Sequence, residues 1–433
     1  MDRRHIVDLK SERSGGTKVK VLFLCHYYPP EGNAPATRVG ALARRWVEAG
    51  HEVTVITCAP NVPDGVVYPG YANRLLPQTS VVDGVKVVRV WSLLAPNKGT
   101  GRRIANYVSY MVTATLKVLT MGRPDVLIAT SPQFFCGWAG VLSKWWFRLS
   151  RPWTRKPKFI LEIRDIWPES IGAVGALGNP LVMKLLEWME LRMYAAANHV
   201  VTVGNGYKLR LLERGVPEEK MSIVMNGVDR DLLEASTPDP APVRKEWGLK
   251  DKFVCAYIGT IGMASGLDVY LRAAKRLKEM GEDDVVLLAV GDGAVREDLQ
   301  QAAAEQGLDN VVFTGRRPKE EMPQLLAATD VCFVHLRKTP LFETVMPSKI
   351  FEALGMRRPI LIGVDGEARN LVEASGGGVS MEPEDEVQMV ERILELKRDP
   401  ERRAAMGEAG REYVLKNFDR DQLARDYLEV LKS

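Results

Sequence analysis

What is scarce in this chain excludes several kinds of protein. Cysteine comes first: there are five, at positions 25, 58, 136, 255 and 332, odd in number and none at C-x-x-C spacing. Such a dispersed set neither staples a small secreted fold nor clamps a structural zinc, so we expect reduced core thiols in a cytosolic protein. Long apolar runs are also missing. The longest charge-free stretch, residues 126–143, contains Ser131, Pro132, Gln133 and two glycines. That punctuation suits a strand, a loop and a helix better than a membrane span. Residues 1–18 are polar and charged without an apolar h-region, which predicts a disordered lead-in rather than a signal peptide. No D-x-D pair stands at a suitable strand end, so no metal site and no cofactor is expected. No short-period repeat is present.

What remains is the balance of a soluble globular chain, 46% hydrophobic and 26% charged, and 433 residues are enough for two domains rather than one core. The net charge of +4 hides an asymmetry. Residues 84–161 hold 13 Lys and Arg against the single acid Asp125, a local +12 that leaves the remainder of the chain at −8. Five of the nine tryptophans fall in the same window: Trp91, Trp138, Trp145, Trp146 and Trp153. A basic, Trp-rich surface attracts anionic headgroups and seats indole rings at a lipid interface. Arg102, Arg103, Trp145, Trp146 and Arg148 are the contact candidates, with a solvated basic face over core tryptophans as the alternative. No nucleic-acid motif accompanies the charge, so nucleic acid is not an expected partner.

The first half alternates apolar runs at 19–26, 53–57, 85–91, 126–130, 159–163 and 200–203 with helical stretches such as 36–49, 102–121 and 182–197. The second half repeats the pattern with strands at 253–258, 285–290, 311–314, 331–335 and 359–362. This predicts an α/β protein of two doubly wound sheets. The expected boundaries are 19–235 for the first domain, 236–250 for a Pro-rich linker, 251–415 for the second, and 416–433 for a helix returning to the first. Ligands in such sheets bind at the carboxyl ends of the strands.

The most informative segment is Met346-Pro347-Ser348-Lys349-Ile350-Phe351-Glu352-Ala353-Leu354-Gly355, followed by Arg358-Pro359-Ile360. Pro347 suits a helix start and Gly355 its end. A helix start in the cleft favours an anion, Lys349 adds charge for a phosphate, and Glu352 could hold the two hydroxyls of a ribose. The same spacing also fits a plain i,i+3 surface ion pair.

This segment resembles the nucleotide-sugar signature of retaining GT-B glycosyltransferases of family 4, in particular the branch that builds O-antigen, colanic acid and related surface polysaccharides. Further segments are similar in order along the chain: Pro29-Pro30-Glu31-Gly32; Gly50-His51-Glu52-Val53; Arg164-Asp165-Ile166-Trp167-Pro168-Glu169-Ser170; Met225-Asn226-Gly227-Val228-Asp229; Gly259-Thr260-Ile261-Gly262; Val290-Gly291-Asp292-Gly293; and Phe313-Thr314-Gly315. The resemblance implies a GT-B fold of two Rossmann-like domains, with Glu352 on the donor ribose and Ser348 and Lys349 on the diphosphate. Gly259, Thr260 and Gly262 would approach phosphate, and Gly315 and Arg316 would border the base. Gly32 and Asn33 would face the donor across the cleft, and Arg164 and Asp165 would lie near sugar and acceptor. Turn chemistry alone would also account for Gly259, Gly262 and Gly293, and a helix N-cap for Asp165. Many relatives carry two glutamates eight apart. Here Thr344 stands eight before Glu352 and Glu343 nine before, so both are candidates for the donor sugar. Where relatives place Arg and Lys in the first loop of the second domain, Thr260 and Ser265 stand here; Lys349, Arg316 and Arg317 are candidates to supply that charge.

The expected function is retaining transfer of a sugar, an N-acetylamino sugar by preference, from a UDP-sugar to a polyprenyl-diphosphate-linked acceptor. The expected place is the inner face of the cell membrane, in surface polysaccharide biosynthesis. A nucleotide-sugar epimerase and a non-catalytic nucleotide-sugar or lipid-binding subunit are the rival expectations.

Overall fold

A computed structural model describes residues 18–96, 100–150, 152–167, 169, 179–230 and 238–433. Residues 1–17 of the expected lead-in, Pro168 and Ser170 of the tryptophan loop, and residues 236–237 of the expected linker lie outside the described residues.

Among the described residues the first sheet has eight strands: β1 (Lys20–Leu24), β2 (Glu52–Cys58), β3 (Gln78–Val82), β4 (Val85–Val90), β5 (Val126–Thr130), β6 (Lys158–Ile163), β7 (His199–Thr202) and β8 (Met221–Ile223), in the order 3-4-2-1-5-6-7-8. All pairings are parallel except β3 with β4. The second sheet has six parallel strands: β9 (Phe253–Ile258), β10 (Val285–Val290), β11 (Val311–Gly315), β12 (Val331–His335), β13 (Ile360–Gly363) and β14 (Gly378–Ser380), in the order 11-10-9-12-13-14.

Strand periodicity explains the layering. Along β1, Val21 and Phe23 enter one core while Leu22 and Leu24 enter the other. The first of these cores is closed by the helices Ala34–Glu48 and Arg420–Lys432, the second by Phe134–Ser150, Pro180–Ala196 and Asn205–Glu213 with Tyr107, Tyr110 and Ala114 of Thr100–Leu119. In the second domain, Cys255 and Tyr257 of β9 face one way, Val254 and Ala256 the other. Both faces are covered, so the strands read as near-continuous apolar runs. All five cysteines are buried free thiols.

Three short strands escaped the periodicity. β3 is an exposed edge strand paired to β4 through Asp83-Gly84, both at positive φ (49° and 76°), a two-residue hairpin turn that an Asp-Gly pair favours. β8 and β14 have three residues each, too few for a periodic signal.

The expected linker needs correction. Of residues 236–250, Ala241–Glu246 is helical, and Val243 and Leu249 are buried in a core with Val254, Ala256 and Leu288. That stretch is part of the second domain, because its apolar residues have a sheet face to cover. The final helix, Arg420–Lys432, packs on the first domain: Trp46 Nε1 donates to the Ala424 carbonyl at 3.0 Å and meets the Tyr427 ring edge-on at 5.3 Å.

Candidate active site

The carboxyl ends of the parallel strands carry the loops that line the interdomain cleft. On the second-domain side the loops approach each other closely because they lack side chains. A Cβ on Gly291 would stand 1.9 Å from the Gly259 carbonyl oxygen, and one on Gly293 2.3 Å from that of Ile261. Close packing, more than ordinary turn geometry, therefore accounts for these glycines. Gly262 differs: a Cβ there would meet only Thr260 at 3.8 Å.

Lys349 begins the helix Lys349–Gly355. Its ammonium lies 3.6 Å from the centroid of the Tyr257 ring, and a Cβ on Gly259 would stand 2.9 Å from it. It forms no salt bridge among the described residues, so the i,i+3 pair with Glu352 is not made. Tyr257 holds the ammonium by its π face and is itself fixed by a 2.8 Å bond from its hydroxyl to the Thr260 carbonyl. Gly259 adopts φ +147°, a conformation side chains disfavour, and leaves the ammonium room. Glu352 is exposed on the same helix, within the electrostatic reach of Lys319. The helix start is tighter than the sequence suggests: Ile350 and Phe351 donate to the carbonyls of Pro347 and Ser348, both at 3.2 Å.

His335, at the end of β12, was not singled out by sequence. It is buried, and its Nε2 accepts from Glu384 N–H at 2.9 Å, so Nδ1 carries the hydrogen donated to the Ser265 carbonyl at 2.7 Å. This ring braces the loop that includes Gly266, where a Cβ would stand 2.9 Å from it.

Several expected positions are placed differently. Asn33 caps the helix Ala34–Glu48, its Oδ1 accepting from Ala36 N–H at 2.9 Å, so that oxygen is committed to the helix rather than to a donor. Arg317 bonds Glu321 at 2.7 Å and Glu246 at 3.1 Å over the Trp247 ring, which ties it to its own domain surface instead of a diphosphate. Thr344 packs against the other domain: a Cβ on Gly206 would stand 2.6 Å from its Cα. Glu343 is exposed. Gly315 ends β11 and Arg316 follows it, and Arg316 Nη2 reaches Tyr68 of the first domain at 2.7 Å. Lys319 likewise reaches Thr37 Oγ1 at 3.1 Å, and its Cβ faces Gly32.

On the first-domain side, Arg164 and Asp165 follow β6, and their N–H groups donate to Ser131 Oγ at 2.6 and 3.1 Å. Burial holds the Arg164 guanidinium down to about 10, and its Nε and Nη1 are buried without an acceptor among the described residues. Beneath Asp165 is a cavity of ≈ 20 Å³, room for about one water, lined by Gln133, Trp167 and Glu190 among others. Burial pushes the Glu190 carboxyl up to about 7, against the pull of Tyr194 and Arg214. Among the described residues no three His, Cys, Asp or Glu converge as a metal set.

Arg38 is a second residue missed by sequence. It is buried and bonds Glu162 Oε2 at 3.0 Å, the Val224 and Met225 carbonyls at 2.8 Å and Asn226 Oδ1 at 3.2 Å. Burial alone would raise the Glu162 carboxyl, but Arg38 and Arg164 hold it below the usual range. The pair joins the end of β6 to the interdomain Asn226-Gly227 turn.

Of the expected lipid contacts, Arg102, Trp145, Trp146 and Arg148 are exposed. Arg103 is not: one residue on, about 100° round the helix, it turns inward to the Tyr107 hydroxyl at 3.2 Å. Sequence missed the exposed apolar face of Pro180–Ala196, which carries Leu181, Val182, Leu185, Trp188 and Leu191. No helix of the described residues is long and apolar enough to cross a membrane.

Two α/β domains, each a wound parallel sheet, with a glycine-lined cleft at their strand ends define a two-domain transferase fold of the GT-B type. Residues 33–227 match the model of a "Glycosyl transferase 4-like domain" and residues 241–413 that of "Glycosyl transferases group 1". The chain belongs to the GT-B glycosyltransferases and is a glycosyltransferase enzyme. It is 24% identical over 426 residues to the putative colanic acid biosynthesis glycosyl transferase WcaI of Escherichia coli K12, covering 96% of this chain and 100% of that protein. It is 31% identical over 208 residues to a GDP-mannose-dependent α-(1-6)-phosphatidylinositol monomannoside mannosyltransferase of Mycolicibacterium smegmatis, covering 47% of this chain and 53% of that one. Among solved structures, Anabaena Alr3699/HepE in complex with UDP and glucose superposes with a TM-score of 0.71 at 17% identity, over 96% of this chain and 100% of that chain.

Proposed function

We propose that this enzyme is a retaining glycosyltransferase of family 4 that moves a sugar from a UDP-sugar to a polyprenyl-diphosphate-linked acceptor in surface polysaccharide biosynthesis. The observation that carries the reading is Lys349, an ammonium without a carboxylate partner among the described residues, held on Tyr257 beside Gly259 with exposed Glu352 one turn away. The leaving nucleotide diphosphate gains charge as the anomeric bond breaks, and a fixed cation stabilises that charge. No metal is invoked, because the Lys349 ammonium supplies positive potential for the leaving phosphate. Retention follows if the leaving phosphate takes the acceptor proton on the same face, which requires no side-chain nucleophile.

UDP is favoured by the HepE complex and an N-acetylamino sugar by the resemblance to the O-antigen branch, while the mycobacterial relative uses GDP-mannose. The colanic acid relative supports the polysaccharide assignment. On the acceptor side, Arg164 Nε and Nη1, which lack a hydrogen-bond acceptor among the described residues, suit an acceptor diphosphate, since a buried donor without an acceptor is costly. The lipid tail of such an acceptor demands a protein seated on the cytoplasmic face of the membrane. The exposed apolar residues of Pro180–Ala196, with Trp145, Trp146, Arg148 and Arg102 on the neighbouring helices, fit that seat.

Thermal stability with UDP, GDP and ADP tests the donor site. Bound ligand raises the melting temperature by mass action. A shift selective for UDP, lost in Glu352→Ala and in Lys349→Ala, is the expected result. A folded protein that responds to no nucleotide would refute the reading, and a GDP-selective response would correct the carrier.

A further inference from the structure

The helix Asn205–Glu213 starts without a cap of its own. Its N-cap residue is Gly204, which has no side chain to offer the first turn. The N–H groups of Asn205 and Gly206 are instead bound by the carboxylate of Glu367, at 2.9 Å to Oε1 and 2.7 Å to Oε2. Glu367 opens the helix Glu367–Ala374, which belongs to the other domain. An acid at this end of a helix also meets the positive end of its dipole. A helix of the first domain is thus capped by the second.

Three glycines permit the contact. A Cβ on Gly204 would stand 3.0 Å from Glu367 Oε2, and one on Gly206 would collide with Thr344. Gly366, at φ +74°, turns the chain so that Glu367 leaves its own domain, and a Cβ there would stand 2.1 Å from the Glu343 carbonyl oxygen. The contact also touches both halves of the site. Tyr207, in the first turn of the capped helix, lies within electrostatic reach of Arg164, Asp165 and Glu367, and Glu343–Thr344 lead directly to Lys349.

We propose that Glu367 is a positioning residue for sugar transfer: its carboxylate, capping Asn205–Glu213 across the cleft, holds together the domain that carries the donor-side Lys349 and the domain that carries the acceptor-side Arg164 and Asp165. The proposal rests on the cleft being the transfer site. Both Glu367 bonds exist only while the domains meet. Tyr257, Gly259, Lys349 and Glu352 all sit in one domain and stay assembled when it moves. Glu367 therefore acts on closure and turnover, not on nucleotide affinity.

The test labels one exposed residue of each domain, Val81→Cys and Met280→Cys, for energy transfer; the five native thiols are buried and spare the labels. Expected for Glu367→Ala and Glu367→Gln are a longer interdomain separation and a tenfold or greater fall in kcat. The Kd of the nucleotide chosen by thermal shift should stay within twofold. Adding Gly204→Ser to Glu367→Ala gives the helix its own hydroxyl cap. It should restore the melting temperature but neither the separation nor kcat. Unchanged separation in Glu367→Ala, or recovery of kcat with Gly204→Ser, would overturn the proposal. An enzyme that transfers to no acceptor would sink the transfer reading instead, and the separation would still judge Glu367.

Discussion

His26 shows how a single buried residue contributes to the pH response of the fold. It ends the β1 run, is buried, and stands edge-on to the rings of Tyr27, Tyr107 and Tyr110 at 4.9, 5.3 and 5.0 Å. Burial lowers its pKa to about 3. The folded protein thus takes up this proton at lower pH than the unfolded chain does, near 6.5. The stability His26 allows is complete above pH 6.5 and is lost as pH falls towards 3. The full difference is on the order of a few kcal/mol. His26→Gln should flatten the acid limb of stability between those pH values, as measured by urea unfolding at each pH; an unaltered limb would show that His26 is protonated inside the fold. At the same scale, Lys349 and Glu352 were legible because a short motif carries them. Arg38 and Glu367 were not, because each acts on atoms 124 and 161–162 residues away in sequence.

At the scale of the element, the helix Pro180–Ala196 turns its Leu186 and Met193 into the core and leaves Leu185 and Trp188 to solvent, 55% and 52% exposed. A helix apolar on both sides gives little moment, so periodicity could not tell core from surface. An exposed face of this kind marks an interaction surface. Leu185→Glu with Trp188→Glu should lower binding to vesicles containing anionic lipid several-fold in flotation, with the melting temperature nearly unchanged because neither side chain holds the core. Equal flotation of variant and parent would remove this helix from the proposed membrane seat.

For the whole molecule, the decisive feature is that chain order and domain membership part company at the end. The chain returns at Asp419: Val228 N–H donates to the Phe418 carbonyl at 2.9 Å, Arg420 N–H donates to the Val228 carbonyl at 3.0 Å, and Arg45 bonds both Asp229 and Asp421. Gly227 makes room, since a Cβ there would stand 2.1 Å from the Phe418 oxygen. The final helix then buries Tyr427 against Trp46. Tyr427→Ala should cost about 3–5 kcal/mol. In calorimetry it should lower the transition of the first domain while sparing that of the second. A fall confined to the second-domain transition would contradict this packing.

The sequence by itself determined the two-sheet alternation, the glycine loops and the Lys349–Glu352 helix, because strand period, turn chemistry and a short motif are local properties. It also exposed the excess of basic residues and tryptophans in one window. Only the tertiary structure decided which charges are free to meet a ligand. Arg317 and Arg103 are committed to neighbours, Asn33 to a helix cap, and Lys349 rests on a ring beside a glycine. The physical reason is that a side chain's availability depends on every partner that folding brings within about 3 Å, and most of those partners lie far along the chain.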